Sequence, residues 1–402
     1  MGHALTEQQI KRTFRAIAAG FFVLGLTVPT MLAQFPTLMG RLDLEEWHVT
    51  FFLLSMAFGA VPSLIGGSFL IGRFGSKLLS SIFLPLFLAF PVLYILAPNY
   101  GALLSIGFCL GICTGFFDVA ANSQGSLLER VTNRFFMTGV HAMFAAGVLS
   151  GTLLAFISLY FGMPIWLFFL LISLASSTLL FFIRRDFLSF SIEAASDEEA
   201  LKASGGKLPK LSRNLLIGLC LLMLLGIEAE ASHYDWLSQY FFSEFKLKGQ
   251  NLDAHWFVLP MVLFSSGLLI ARLLGDGIAE QIGRPKLLLF GTLIGMAGLL
   301  WLIITHKYWE GVVAVFFMGF GFSFFFPIFV ASAGRLNGVR PAFGVAIVSA
   351  MGWASIFIGP PLIGFLEHFY GFRWAYASIV PVAALVAIFG PWVVFKSRAE
   401  NH

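Results

Sequence analysis

Three carboxylates stand inside long apolar runs: Asp118 in GICTGFFDVAAN, and Glu228 and Glu230 in MLLGIEAEAS. An acid at the centre of a lipid-embedded helix costs about 2.5–3.5 kcal/mol even on the lenient insertion scale, so each calls for a reason. The chemistry available to such a group is reversible protonation. Desolvation favours the neutral acid, and access of water lets the proton leave. The competing reading for Asp118 is an acid permanently paired with Arg130, Arg134 or a hydroxyl between helices.

Spacing sorts these groups. Asn122 follows Asp118 by four residues and shares its helical face, where it can orient the carboxyl or a substrate hydroxyl. Glu228 and Glu230 are two apart, about 200° around a helix, so they cannot share a face. Glu230, aligned with Tyr234, is read as lining the path. Glu228, aligned with Ser232 and Asp235, is read as a packing acid, and His233 and Asp235 as wetted groups near the outer end. His141 titrates in the physiological range, or is simply a satisfied packing residue. The expected proton-coupling residues are Asp118, Glu230 and His141, and the expected substrate-binding residues are Gln34, Asn122, Glu230 and Trp353.

No metal site or cofactor is expected. Cys109, Cys113 and Cys220 lie in apolar stretches without the spacing of a zinc site or disulfide framework. There is no Walker loop, HExxH, paired CxxC or GxSxG elbow, which removes the sequence basis for ATP hydrolysis, zinc chemistry and acyl transfer. An enzyme is therefore not expected.

The elements that must position these groups follow from composition. Of 402 residues, 58% are apolar and 11% charged, and the mean hydropathy is +0.87. That leaves too little polar side chain to coat globular domains in water. The apolar runs predict twelve spans: 14–35, 49–71, 78–97, 102–127, 137–160, 163–183, 215–240, 256–274, 287–304, 312–333, 342–366 and 374–395, each near the 20 residues a bilayer needs. The first is read as a retained span, not a signal peptide. A polar segment, 184–213, joins an N-terminal bundle (1–183) to a C-terminal one (214–402). Its DEEA and GGKLPK stretches read as an uninserted loop.

With the N-terminus inside, the inner segments, counting Arg272, hold 20 of the 25 Lys and Arg. The outer ones hold Arg41, Lys246, Lys248, Lys307 and Arg373. That asymmetry predicts both termini on the cytoplasmic side. A net charge of +4 distributed this way gives no reason to expect nucleic acid.

Shifting the sequence by 208 residues superimposes Gly75 on Gly283, GICTGFFD (111–118) on GFGFSFFF (319–326), and HAMFAAGVLSG (141–151) on SAMGWASIFIG (349–359). Asp118 falls on Phe326, so the repeated scaffold does not need an acid there. Two pseudo-symmetric six-helix bundles describe the major facilitator fold, an all-α membrane architecture in which solute binds near mid-membrane between halves.

DVAAN at 118–122 resembles the ETAAN of the fourth helix in the fucose:proton symporter family. VHAMFAAGVL (140–149), ARLLGDGIAEQIG (271–283) and FPIFVASAGRLNG (326–338) continue the likeness. Bacterial relatives with DVAxN, a helix-five His and a helix-seven acid before DW are nearer still, matched here by Asp118, Asn122, His141, Glu230, Asp235 and Trp236. The resemblance implies that Asp118 takes the place of the family's proton-coupling Glu and that Asn122 matches its Asn. His141 stands where the family has Gln. The family's helix-one acid is replaced by Pro29, with Thr27 and Thr30 nearby, so fucose itself is not the expected solute. The inner-turn motif is reduced to SFLIGRFGSK (68–77), with Gly72 in place of Asp.

Together these readings imply a monomeric proton-coupled transporter of a small polar solute, a sugar or related metabolite, working by alternating access. Proton-driven export of drugs or metabolites, and a non-transporting membrane receptor or scaffold, are the competing classes.

Overall fold

The computed structural model describes residues 5–33, 35–44, 47–203, 209–245 and 255–399. All regular structure among them is helical. It divides into two units, Met1–Leu208 with Asn337–Ala350, and Pro209–Leu336 with Met351–His402.

The first nine helices are α1 (Glu7–Ala33), α2 (Phe35–Leu42), α3 (Trp47–Phe74), α4 (Ser76–Phe87), α5 (Phe90–Leu96), α6 (Tyr100–Thr132), α7 (Met137–Tyr160), α8 (Ile165–Ile183) and α9 (Phe190–Ala203). The chain then forms α10 (Lys210–Glu244), α11 (His255–Ile282), α12 (Arg284–Ile304), α13 (Tyr308–Phe322), α14 (Phe325–Ala333) and α15 (Pro341–Ala354). A short 3₁₀ turn (Ser355–Phe357) leads to α16 (Gly359–Tyr370), α17 (Phe372–Ala377) and α18 (Ile379–Ala399).

Eleven helical stretches are long and apolar enough to cross a membrane, and the apolar part of α7, Met137–Gly151, supplies the shorter twelfth. The twelve-span reading and the structure agree. Some spans are built from two helices, because Pro91 at the start of α5 and the Gly359-Pro360-Pro361 run at the start of α16 interrupt the backbone ladder.

The 208-residue register recurs in the packing of each unit. In the first, a Cβ on Gly59 would strike the Phe108 carbonyl and one on Gly111 the Met56 carbonyl, so α3 and α6 touch backbone to backbone. In the second, Gly267 meets the Phe316 carbonyl and Gly319 the Phe264 carbonyl, giving α11 and α13 the same contact. Glycine permits this approach because lipid gives apolar helices little hydrophobic reason to associate and close packing must supply the attraction. Gly75 and Gly283, at φ 82° and 84°, make the same left-handed entry into α4 and α12. In both units an arginine closes carbonyls at a helix end: Arg41 bonds Ile95 and Ala97 at the end of α5, and Arg373 bonds Ile303 and Thr305 at the end of α12.

The segment 184–213 differs from the broken loop expected, because residues 190–203 form α9 and the residues before it are tied to the first unit. Lys77 Nζ donates to the carbonyls of Arg185 (2.8 Å) and Phe187 (3.0 Å). Gln124 Nε2 donates to Ser76 Oγ (2.7 Å), and its Oε1 accepts from Leu188 N (2.7 Å). Glu193 Oε2 accepts from Ser76 N at 2.8 Å, an anion at the N-terminus of α4 where the helix dipole favours it. Local composition reads as loop because these partners of the segment lie 64 to 117 residues away.

Candidate functional site

In the first unit, three of the expected residues come together. Asp118 and Asn122 sit one turn apart on α6, 4% and 0% exposed. Asn122 Nδ2 donates to Asp118 Oδ1 at 3.0 Å and to its backbone carbonyl at 3.0 Å. The amide oxygen then faces α7, where His141 Nε2 lies 3.0 Å from it. An amide oxygen only accepts, so His141 carries its hydrogen on Nε2. The result is a linear chain, Asp118–Asn122–His141, across two helices. Phe21 of α1 covers the imidazole with ring centroids 4.7 Å apart. The amide thereby fixes the orientation of both the carboxyl and the imidazole. Arg134, a partner considered for Asp118 from sequence, is bound to Glu7 at 2.8 Å near the chain start.

In the second unit, Glu230 on α10 is nearly as buried, at 6% exposure. Its Oε1 accepts from Arg272 Nη2 of α11 at 2.7 Å. The same guanidinium donates Nε to the Ser323 carbonyl at 3.0 Å. Glu230 Oε2 has no hydrogen-bond partner among the described residues. The pair therefore fixes one carboxylate oxygen and leaves the second buried and unpaired among the described residues. Glu228, two residues earlier, points elsewhere, as the 200° separation requires. A Cβ on Gly359 would fall on its carboxylate, so it packs against the entry to α16.

Two features differ from the sequence reading. Arg272, counted among the loop cations, is buried within α11 and neutralises Glu230. His233, read as wetted, is 0% exposed and enclosed by Phe264, Phe322 and Tyr376, with ring centroids 5.2 to 6.1 Å away. The signal for Arg272 was its position inside an apolar run, which marks a cation as needing a buried partner. His233 carried no such signal, because the aromatic rings that enclose it come from α11, α13 and α17, remote in sequence.

Trp353 is half-buried near the end of α15, and Gln34 lies outside the described residues. No group of three or more His, Cys, Asp or Glu suited to a metal occurs among the described residues.

The model of the family described as Major Facilitator Superfamily matches residues 249–402. An uncharacterised MFS-type transporter of Yersinia pestis is 26% identical over 378 residues, covering 91% of this chain and 92% of that protein. Among solved structures, FucP in the outward conformation, known from a second structure as the E. coli fucose:proton symporter, superposes with a TM-score of 0.75 at 16% identity. That match covers 94% of this chain and 98% of the other. The proton:xylose symporter XylE gives 0.72 at 13% identity, covering 96% of each. The fold is thus the major facilitator fold, and the likeness first carried by DVAAN extends along the chain.

Proposed function

We propose that the chain is a major facilitator superfamily transporter that couples proton movement to the transport of a small polar solute, a sugar or related metabolite, by alternating access. The observation that carries the proposal is the buried Asp118–Asn122–His141 chain, an acid with a neutral orienting partner in the interior of a membrane-spanning helix. Asp118 is the principal proton carrier. His141 tunes or relays the proton through Asn122, whose remaining hydrogen-bonding capacity serves a solute hydroxyl. Glu230, held by Arg272 through one oxygen, contributes its second oxygen to proton or solute binding. Gln34 and Trp353 complete the set of binding residues.

FucP and XylE are sugar:proton symporters by name, which supports the solute class. The chain acts as a monomer in the bacterial inner membrane, with bundles 1–183 and 214–402 joined by 184–213 and with both termini in the cytoplasm.

The test begins with thermal stabilisation of the purified protein by a panel of pentoses, hexoses, polyols and sugar acids, since a ligand specific for the folded state raises stability by mass action. At least one member of the panel should stabilise the wild type and also Asp118→Asn. Only the wild type should take up protons on adding that solute. Absence of stabilisation by every member would overturn the solute class, and equal proton uptake in both proteins would overturn the role of Asp118.

A further inference from the structure

On the first unit, at the end nearest the 184–213 segment, α4 and α8 enclose a pocket of ≈ 180 Å³. That is more than ten times the roughly 15 Å³ a single water requires. Its wall includes Ser80, Ser81 and Leu84 of α4, Ser177 and Phe181 of α8, and Arg184. No carboxylate is among the lining residues.

Two groups in this pocket lack an internal role. Ser80 is 1% exposed and its Oγ has no hydrogen-bond partner among the described residues. A buried hydroxyl left unpaired costs stability, so its retention calls for an occupant that accepts its hydrogen. Arg184 lies over the Phe181 ring, 4.5 Å from its centroid, with its guanidinium donors open to solvent. The wall that presents it is fixed, because Lys77 binds the carbonyls of Arg185 and Phe187 and Gln124 binds Leu188.

The internal repeat supplies a control. The 208-residue shift places Ser80 and Ser81 on Leu288 and Leu289, five and six residues beyond the matched Gly75 and Gly283. In the second unit Leu288 is fully buried and packs against Gly390 of α18. The scaffold thus fills this position with hydrocarbon where nothing binds, and the first unit has a cavity, a spare hydroxyl donor and a cation instead.

We propose that this pocket holds the phosphate of an anionic phospholipid from the leaflet on the side of the 184–213 segment. Arg184 and Ser80 donate to the phosphate oxygens. The acyl chains run along the exposed faces of Pro85 and Phe181. Charge selects the headgroup, since Lys77 and Arg185 flank Arg184, and basic pockets between spanning helices recognise anionic headgroups. The exposed apolar half of the wall selects a lipid over a free ion, which would gain nothing from it.

The test measures binding of phosphatidylglycerol, phosphatidylcholine and inorganic phosphate to the delipidated full chain by native mass spectrometry and thermal stabilisation. Phosphatidylglycerol should bind in preference to phosphatidylcholine, and inorganic phosphate should not stabilise. Arg184→Ala should weaken phosphatidylglycerol by about fivefold or more, the size expected for one cation near an anionic headgroup. Ser80→Leu, which copies the second unit, should close the site. Ser80→Ala, which keeps the cavity but removes the donor, should weaken binding without closing it. Lys286→Ala, at the matching turn of the second unit, should change nothing. Equal binding of the two lipids, or unchanged phosphatidylglycerol binding in Arg184→Ala, would overturn the proposal. Stabilisation by inorganic phosphate that is lost in Arg184→Ala would assign the pocket to a soluble anion and overturn it equally.

Discussion

Breaking the Glu230–Arg272 pair separates the two roles a buried ion pair can play. At 2.7 Å the gross attraction is about 6 kcal/mol at an effective dielectric near 20. Most of it offsets the cost of removing both charges from water. Removal of one partner exposes that hidden cost, typically about 3–5 kcal/mol. The two single variants should differ. Glu230→Gln leaves a guanidinium that cannot lose its proton, so it should bear the full 3–5 kcal/mol. Arg272→Met leaves an acid that escapes by taking up a proton, so its loss should be smaller. The double variant Glu230→Gln/Arg272→Met should recover at least about 2 kcal/mol relative to the sum of the singles. Unfolding of the four proteins in one detergent measures the cycle. Single losses below about 1 kcal/mol, or additivity within about 0.5 kcal/mol, would refute the pairing as an energetic unit. Solute affinity measured on the same proteins separates the roles, since Glu230→Gln should change affinity as well as stability.

Three further outcomes follow from the geometry. Gly359→Ala places a methyl group on the Glu228 carboxylate and should cost about 1–3 kcal/mol, with Glu228→Ala restoring most of it in a thermal unfolding assay. Asn122→Ala removes the link between Asp118 and His141 and should cost about 1–3 kcal/mol while shifting the pH dependence of transport, read from uptake against external pH. In a background with Cys109, Cys113 and Cys220 replaced, cysteine at Asp43 or Lys307 should label from outside and cysteine at Glu280 only from inside. Labelling of all three from one side would contradict the proposed topology.

The spans were legible because apolar runs of about 20 residues leave little choice of structure. The Asp118–Asn122 contact was legible because four residues bring two side chains onto one helical face. The Asn122–His141 link required knowing which face α7 presents to α6, and an almost uniformly apolar helix does not encode that in its pattern. Arg272 was visible as a cation within an apolar run, but its partner lies 42 residues away, and helix periodicity says nothing about pairs between helices. The burial of His233 depends on rings from three other helices, and α9 on the capping of Ser76 by Glu193, both products of tertiary packing. The repeat was the most informative long-range signal. Its single register anticipated the paired turns at Gly75 and Gly283, and it relates the close glycine contacts of the two units.

The central claim is that Asp118 carries the coupled proton. It is tested most directly in proteoliposomes under an imposed pH gradient, using the panel solute that most stabilises the purified protein. The wild type should accumulate that solute above its external concentration and lose the accumulation when a protonophore collapses the gradient. Asp118→Asn should bind and exchange the solute but never concentrate it, because the neutral amide mimics the protonated acid and has no proton to release. Gradient-driven accumulation by Asp118→Asn at the wild-type level would contradict the account and pass the coupling role to Glu230.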